Sequence, residues 1–182
     1  KAGFWKENGN TKRENTKIIF NGEENVCIGS VIMLNPGSAG KDIENKICEK
    51  HQTLEFKNSD SILGYVTNWV KEAYKEKKID IKGYLAIANL SKVRQRDPKK
   101  LPKDSYEKFE DIKNEILTNT PWIWAAWGKV PEEFLSLRDK IQEHYSKIIF
   151  GIKPEGYFMH PRTISKSCRK KEAIQEIKKR IK

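Results

Sequence analysis

Cysteine is scarce and scattered in this chain: Cys27, Cys48 and Cys168 are odd in number, and none stands in a CxxC or in a Cys/His cluster at metal-ligand spacing. That argues against a disulfide framework and against zinc. No metal or cofactor is expected, and each thiol reads as a small packing residue in a reduced cytoplasm. Long apolar runs are missing too. The longest, VIML (31–34) and WIWAAW (122–127), fall far short of the ~20 residues that span a bilayer, so no membrane partner is expected. Neither GxxxxGK[ST] nor GxGxxG occurs, which removes the main support for a phosphate cradle or a dinucleotide fold. No secretory signal opens the chain. It begins at Lys1 rather than methionine, from which a trimmed native start is expected.

What the chain has in excess is positive charge. Lys and Arg number 36 against 25 Asp and Glu, a net charge of +11. A surplus of that size concentrates polyanions, and nucleic acid is the commonest of these in cytoplasm. A lysine-rich proteome that decorates every surface with ammonium groups explains charge alone equally well. The 182 residues suit one core, so a single domain spanning 1–182 and a monomer are expected.

Residues 1–25 read as an irregular lead-in, with a short strand over 17–20 as one arm of a hairpin turning at Asn21-Gly22. Residues 26–34 give a first core strand, and 41–58 a wandering loop. A helix over 59–77 follows, with Ser59 as N-cap and Ile62, Val66, Trp69, Val70 and Ala73 on one stripe. A second strand, GYLAIA (83–88), ends in Asn89. After a polar loop, Asp104 or Ser105 caps a helix running to Leu117. WIWAAW is a third strand ended by Gly128, and Pro131 opens a helix to Tyr145. KIIFGI (147–152) is the fourth strand, and a basic helix over 166–182 closes the chain. Apolar strands alternating with amphipathic helices predict an α/β fold, a three-layer sandwich. Its central, mostly parallel four-stranded sheet is covered by helices on both faces. In such sheets ligands bind beyond the carboxyl ends of the strands, which aligns Asn35, Asn89, Gly128 and His160 along one rim.

The chemistry those residues allow is specific. In Asn35-Pro36-Gly37 the proline fixes φ, the glycine permits a positive φ and a close ligand, and the amide donates and accepts at once. A plain tight turn explains the tripeptide as well. Asn89 pairs with both polar atoms of a pyrimidine edge or caps the next turn. His160, in a loop, donates to oxygen charge developing in a reaction, or is satisfied by a backbone carbonyl. Bases at Arg94, Arg96, Lys99, Lys100, Lys103 and Arg162 flank these elements, and the closing helix adds more. Basic groups beside an aromatic-containing pocket suit a phosphodiester with one base drawn aside; a solvated helix face explains the tail just as simply.

Taken in order, IMLNPG, LAIANLSKV, WIWAAWGK and YFMHPRTIS resemble the motifs of the uracil-DNA glycosylase superfamily. The likeness spans residues 28–165. In that family the first is a strand ending in an Asn/Asp-Pro turn, the second a strand whose last asparagine reads the base, and the fourth a His-Pro loop. The chain also resembles a group of short bacterial and phage proteins carrying Leu-Asn-Pro, Asn-Leu…Asp-Pro, Ala-Trp-Gly and His-Pro, which the spacing of Asn89-Leu90 to Asp97-Pro98 fits well. The resemblance implies hydrolysis of an N-glycosidic bond in DNA, duplex with a flipped base or single-stranded. Asn35 would orient water and His160 stabilise the departing base. Asn89, Phe56, Pro36 and Gly37 would hold the base, and Arg94, Arg96, Lys129, Arg162, Thr163, Ser165 and Lys166 would contact DNA. Two departures stand out: asparagine replaces the aspartate of the family's strongest members, and HPRTIS lacks the usual Ser-Pro-Leu. The same fold with lost chemistry, or with a free nucleotide or nucleoside as substrate, remains an alternative.

Overall fold

The computed structural model describes residues 1–37, 41–55, 61–95, 97–116, 120–128, 132–151, 161 and 170–181. Its first feature is a hairpin. Asn8 and Gly9 both take positive φ, 49° and 73°, the type I′ turn whose twist matches that of two antiparallel strands. It joins β1 (Ala2–Glu7) to β2 (Asn10–Glu14), with Glu7 opposite Asn10. The lead-in expected to be irregular is therefore strand, and β3 (Thr16–Phe20) continues it. The stretch 41–58 is likewise not a plain loop. It supplies a 3-10 turn over Lys41–Lys46 and β5 (Gln52–Leu54), the outer neighbour of β1. Ala2, Phe4, Ile43, Ile47 and Leu54 gather beneath this small sheet in a cluster of their own.

The central sheet is built from the continuous apolar runs. β4 (Cys27–Met33), β6 (Gly83–Asn89), β7 (Ile123–Ala125) and β8 (Ile149–Phe150) run parallel. A fifth strand corrects the expected count. β3 lies antiparallel on β6, Thr16 opposite Ile87, giving the order β3-β6-β4-β7-β8. The Asn21-Gly22 turn does form, but it closes only one bridge, Phe20 to Glu23, so β3 is an edge strand and not a hairpin arm.

Alternation along the strands sorts side chains to two faces. Val31, Met33, Leu85, Ile87, Trp122, Trp124, Ala126 and Phe150 meet α1 (Ser61–Glu76), whose Leu63, Val66, Trp69, Val70 and Ala73 are buried. The register shift between Cys27 and Gly29 turns Ile28 to this same face. On the opposite face Ile32, Leu34, Ala88, Leu90, Ile123, Ala125, Trp127 and Ile149 pack on α2 (Phe109–Glu115) through Ile112 and on α3 (Leu135–His144) through Ile141. Helices thus cover both faces, as apolar parallel strands require.

Two helix expectations need correction. The helix expected from Asp104 or Ser105 starts at Phe109, because Ser105 Oγ is drawn into a turn: it donates to the Pro102 carbonyl at 2.7 Å and accepts from Ser91 Oγ at 3.0 Å. The Asp111 carboxylate instead takes the Lys108 N–H at 3.3 Å. The basic tail forms α4 (Lys170–Arg180), but it is not merely a solvated face. Ala173, Ile174 and Ile177 bury against the α1 side of the core, while Lys170 pairs with Glu72 at 2.8 Å and Lys178 with Glu76 at 3.0 Å. Among the described residues no helix is long and apolar enough to cross a membrane.

Candidate functional site at the carboxyl rim of the sheet

From β4 the chain crosses through α1 to β6 on one side, and from β7 it crosses through α3 to β8 on the other. Adjacent strands β4 and β7 thus send their connections in opposite directions. In open α/β sheets ligands bind beyond the carboxyl ends of the strands at such a switch point. Asn35-Pro36-Gly37 occupies this position on β4, and Trp127-Gly128 on β7. Asn89 ends β6 directly opposite Met33.

Pro36 is buried, and Gly37 turns with φ 60°, so the tripeptide makes the tight bend its composition implies. Asn35 is 9% exposed. Its Nδ2 donates to the Gln95 carbonyl at 2.5 Å and, more weakly, to the Val93 carbonyl at 3.5 Å. The ladder between β4 and β6 is prolonged by Leu90 N–H to Met33 O and Ser91 N–H to Leu34 O, each 2.9 Å. That extension brings the segment after β6 alongside Asn35. The asparagine therefore staples the two loops together with its donor end, and its Oδ1 accepts no hydrogen bond among the described residues.

Asn89 behaves differently. It is 1% exposed, and neither Nδ2 nor Oδ1 has a hydrogen-bond partner among the described residues. Alternation places its side chain with those of Leu85 and Ile87, on the α1 face. An amide in such surroundings costs roughly 1–3 kcal/mol for each group left unmade. A strand end designed only for packing would carry leucine there.

Two cations of the segment after β6, Lys92 and Arg94, are paired with carboxylates among the described residues. Arg94, with a side chain 7% exposed, lies 2.7 Å from Glu44 and ties the loop after β6 to the Lys41–Lys46 turn. Lys92 lies between Glu14 at 2.9 Å and Glu107 at 3.0 Å. Burial works to lower its pKa, but the hydrogen bonds to these two carboxylates outweigh it and raise it. Arg94 as placed is a brace and not an open phosphate contact. His160, Phe56, Arg96, Lys129, Arg162, Thr163, Ser165 and Lys166 lie outside the described residues. The structure thus brings together Asn35, Pro36, Gly37 and Asn89 from the expected set.

Sequence reasoning missed a second polar group of residues. Glu115, at the last turn of α2, has its Oε2 buried without a partner, and burial pushes its pKa up to about 8. Its signal was faint, since a glutamate in FEDIKNEIL reads as a solvated helix position. Among the described residues no group of three or more His, Cys, Asp or Glu side chains is placed to hold a metal. No family model, curated protein or solved structure matches the chain.

Proposed function

We propose that the chain is a uracil-DNA-glycosylase-like enzyme that hydrolyses the N-glycosidic bond of a damaged or modified base flipped out of DNA. It would act in the cytoplasm as a monomer. The observation that carries this reading is Asn89: a buried amide whose two polar ends meet no partner among the described residues, at the carboxyl end of a strand beside the sheet's switch point. A planar base edge offering one donor and one acceptor would satisfy both ends at once. Asn35 Oδ1 supplies an acceptor for a water at the mouth of the crevice, and His160 the donor toward the departing base. Removing one such donor typically costs about a hundred- to a thousandfold in rate.

Duplexes carrying uracil, hypoxanthine or modified cytosines test this directly. The protein is incubated with each, and abasic sites are then cleaved with alkali. Strand breaks on at least one substrate are expected, lost in Asn35→Ala and His160→Ala while DNA affinity is retained. If both variants keep full turnover, the roles are wrong.

One observation favours a second reading, a nucleic-acid-binding module of the same fold without the chemistry. The Asn35 donor end is committed to the Gln95 carbonyl, so this residue already has a structural task. Absence of breaks on every substrate, with salt-dependent DNA binding intact, selects that module.

A further inference from the structure

Away from the rim, a cavity of about 330 Å³ opens where the end of α2 meets β3 and β6. It is lined by Asn15, Thr16, Lys17, Tyr84, Ala86, Asn114 and Glu115. One wall is aromatic: Lys17 Nζ lies 4.3 Å from the Tyr84 ring centroid. Another wall carries the Glu115 carboxyl, whose Oε2 is buried and meets no hydrogen-bond donor among the described residues.

The charges that act on Glu115 explain why this carboxyl stands alone. Arg13 and Glu14 come from β2, and Lys92 and Glu107 from the two ends of the segment that joins β6 to α2. Lys92 is already shared by Glu14 and Glu107. Arg13 and Lys92 together balance those two carboxylates, so the cluster is neutral before Glu115 is counted. An ionised Glu115 adds one negative charge that no further cation among the described residues offsets, in a place where desolvation disfavours it. Lys17, the remaining cation on the lining, sits against the Tyr84 ring.

We infer that this cavity is a binding site for a small organic cation, an alkylammonium or guanidinium, with Glu115 as its counter-ion. The ligand supplies the charge the cluster lacks and N–H donors for Oε2. The Asn15 and Asn114 amides stand on the same lining to accept further N–H groups. Nothing in this inference depends on the reading of the rim.

Binding requires the Glu115 proton to leave, and burial holds that proton up to about pH 8. Affinity therefore rises with pH below that value and levels above it. Calorimetric titration of the full chain with ethylguanidinium and, separately, with butylamine is the test. Between pH 6.5 and 8.5 the affinity is expected to tighten by about twenty-five-fold, the factor by which the ionised fraction grows. Repeating the titration near pH 7 in buffers of different ionisation enthalpy should count close to one proton released per cation. Glu115→Gln keeps the shape of the neutral carboxyl, and it is expected to abolish both the binding and its pH dependence. The proposal is overturned if neither cation binds saturably at pH 8.5, if no proton is released, or if Glu115→Gln binds like the parent. Should the variant fail to fold, proton release by the parent protein decides.

Discussion

Single residues carry the sharpest tests. Asn89→Leu replaces an amide that has no partner among the described residues by an apolar group of similar size. It is expected to leave stability to urea unchanged or raise it by about 1 kcal/mol while abolishing excision, because only a ligand makes the amide useful. A loss of stability would mean that the amide is satisfied inside the fold. Gly29 is a contrasting case with no functional content. A Cβ there would lie 2.2 Å from the fully buried Trp122 ring. Overpacking of that kind costs roughly 1–3 kcal/mol, so Gly29→Ala should shift the urea midpoint down by a matching amount. Glu115 makes stability depend on pH. Its folded pKa, about 8, stands above the unfolded value of 4.5. The native state thus holds a proton that the unfolded chain has released, and the stabilisation, complete below 4.5, is lost as pH rises through 8. Unfolding followed from pH 5 to pH 9 should show that decline in the parent and a flatter profile in Glu115→Gln.

At the scale of elements, the contacts that matter are apolar and the charges are secondary. α4 is fixed to the α1 side of the core by Ala173, Ile174 and Ile177, and Ile177 is fully buried. Ile177→Ala should cost about 2–5 kcal/mol by thermal or urea unfolding. Lys170→Ala and Lys178→Ala, which remove exposed pairs with Glu72 and Glu76, should each cost about 1 kcal/mol or less. The reverse order would show that charge and not burial holds the helix. The same contrast explains what could be read in advance. The stripe Val66, Trp69, Val70 and Ala73 repeated with helical period over many residues, and α1 followed it closely. The runs that became β4, β6 and β7 were equally clear. β3 was read as a strand over 17–20, but β1 and β2 were not, since KENGNTKREN is polar throughout and short. Its one signal, Asn8-Gly9, is the same pair that marked 21–22, where the turn closed a single bridge. A local turn signal cannot say which of two turns is followed by a partner strand.

For the whole molecule, the surplus of +11 is a statement about partners and not about architecture. If DNA is the partner, affinity should fall about tenfold or more between roughly 50 and 200 mM salt, and a flat dependence would remove DNA from consideration. The sequence by itself determined the layered α/β plan, because apolar period and strand length are local properties that each segment carries alone. It also marked Asn35 and Asn89 as strand-end amides. Tertiary structure alone decided that β3 completes the sheet as an antiparallel edge, that Arg94 is taken up by Glu44, and that α4 is core. It alone set one asparagine to stapling loops and left the other without a partner among the described residues. The reason is that pairing and ionic partnership join residues tens of positions apart, so their outcome depends on which distant group arrives within a few ångströms, and no local pattern records that.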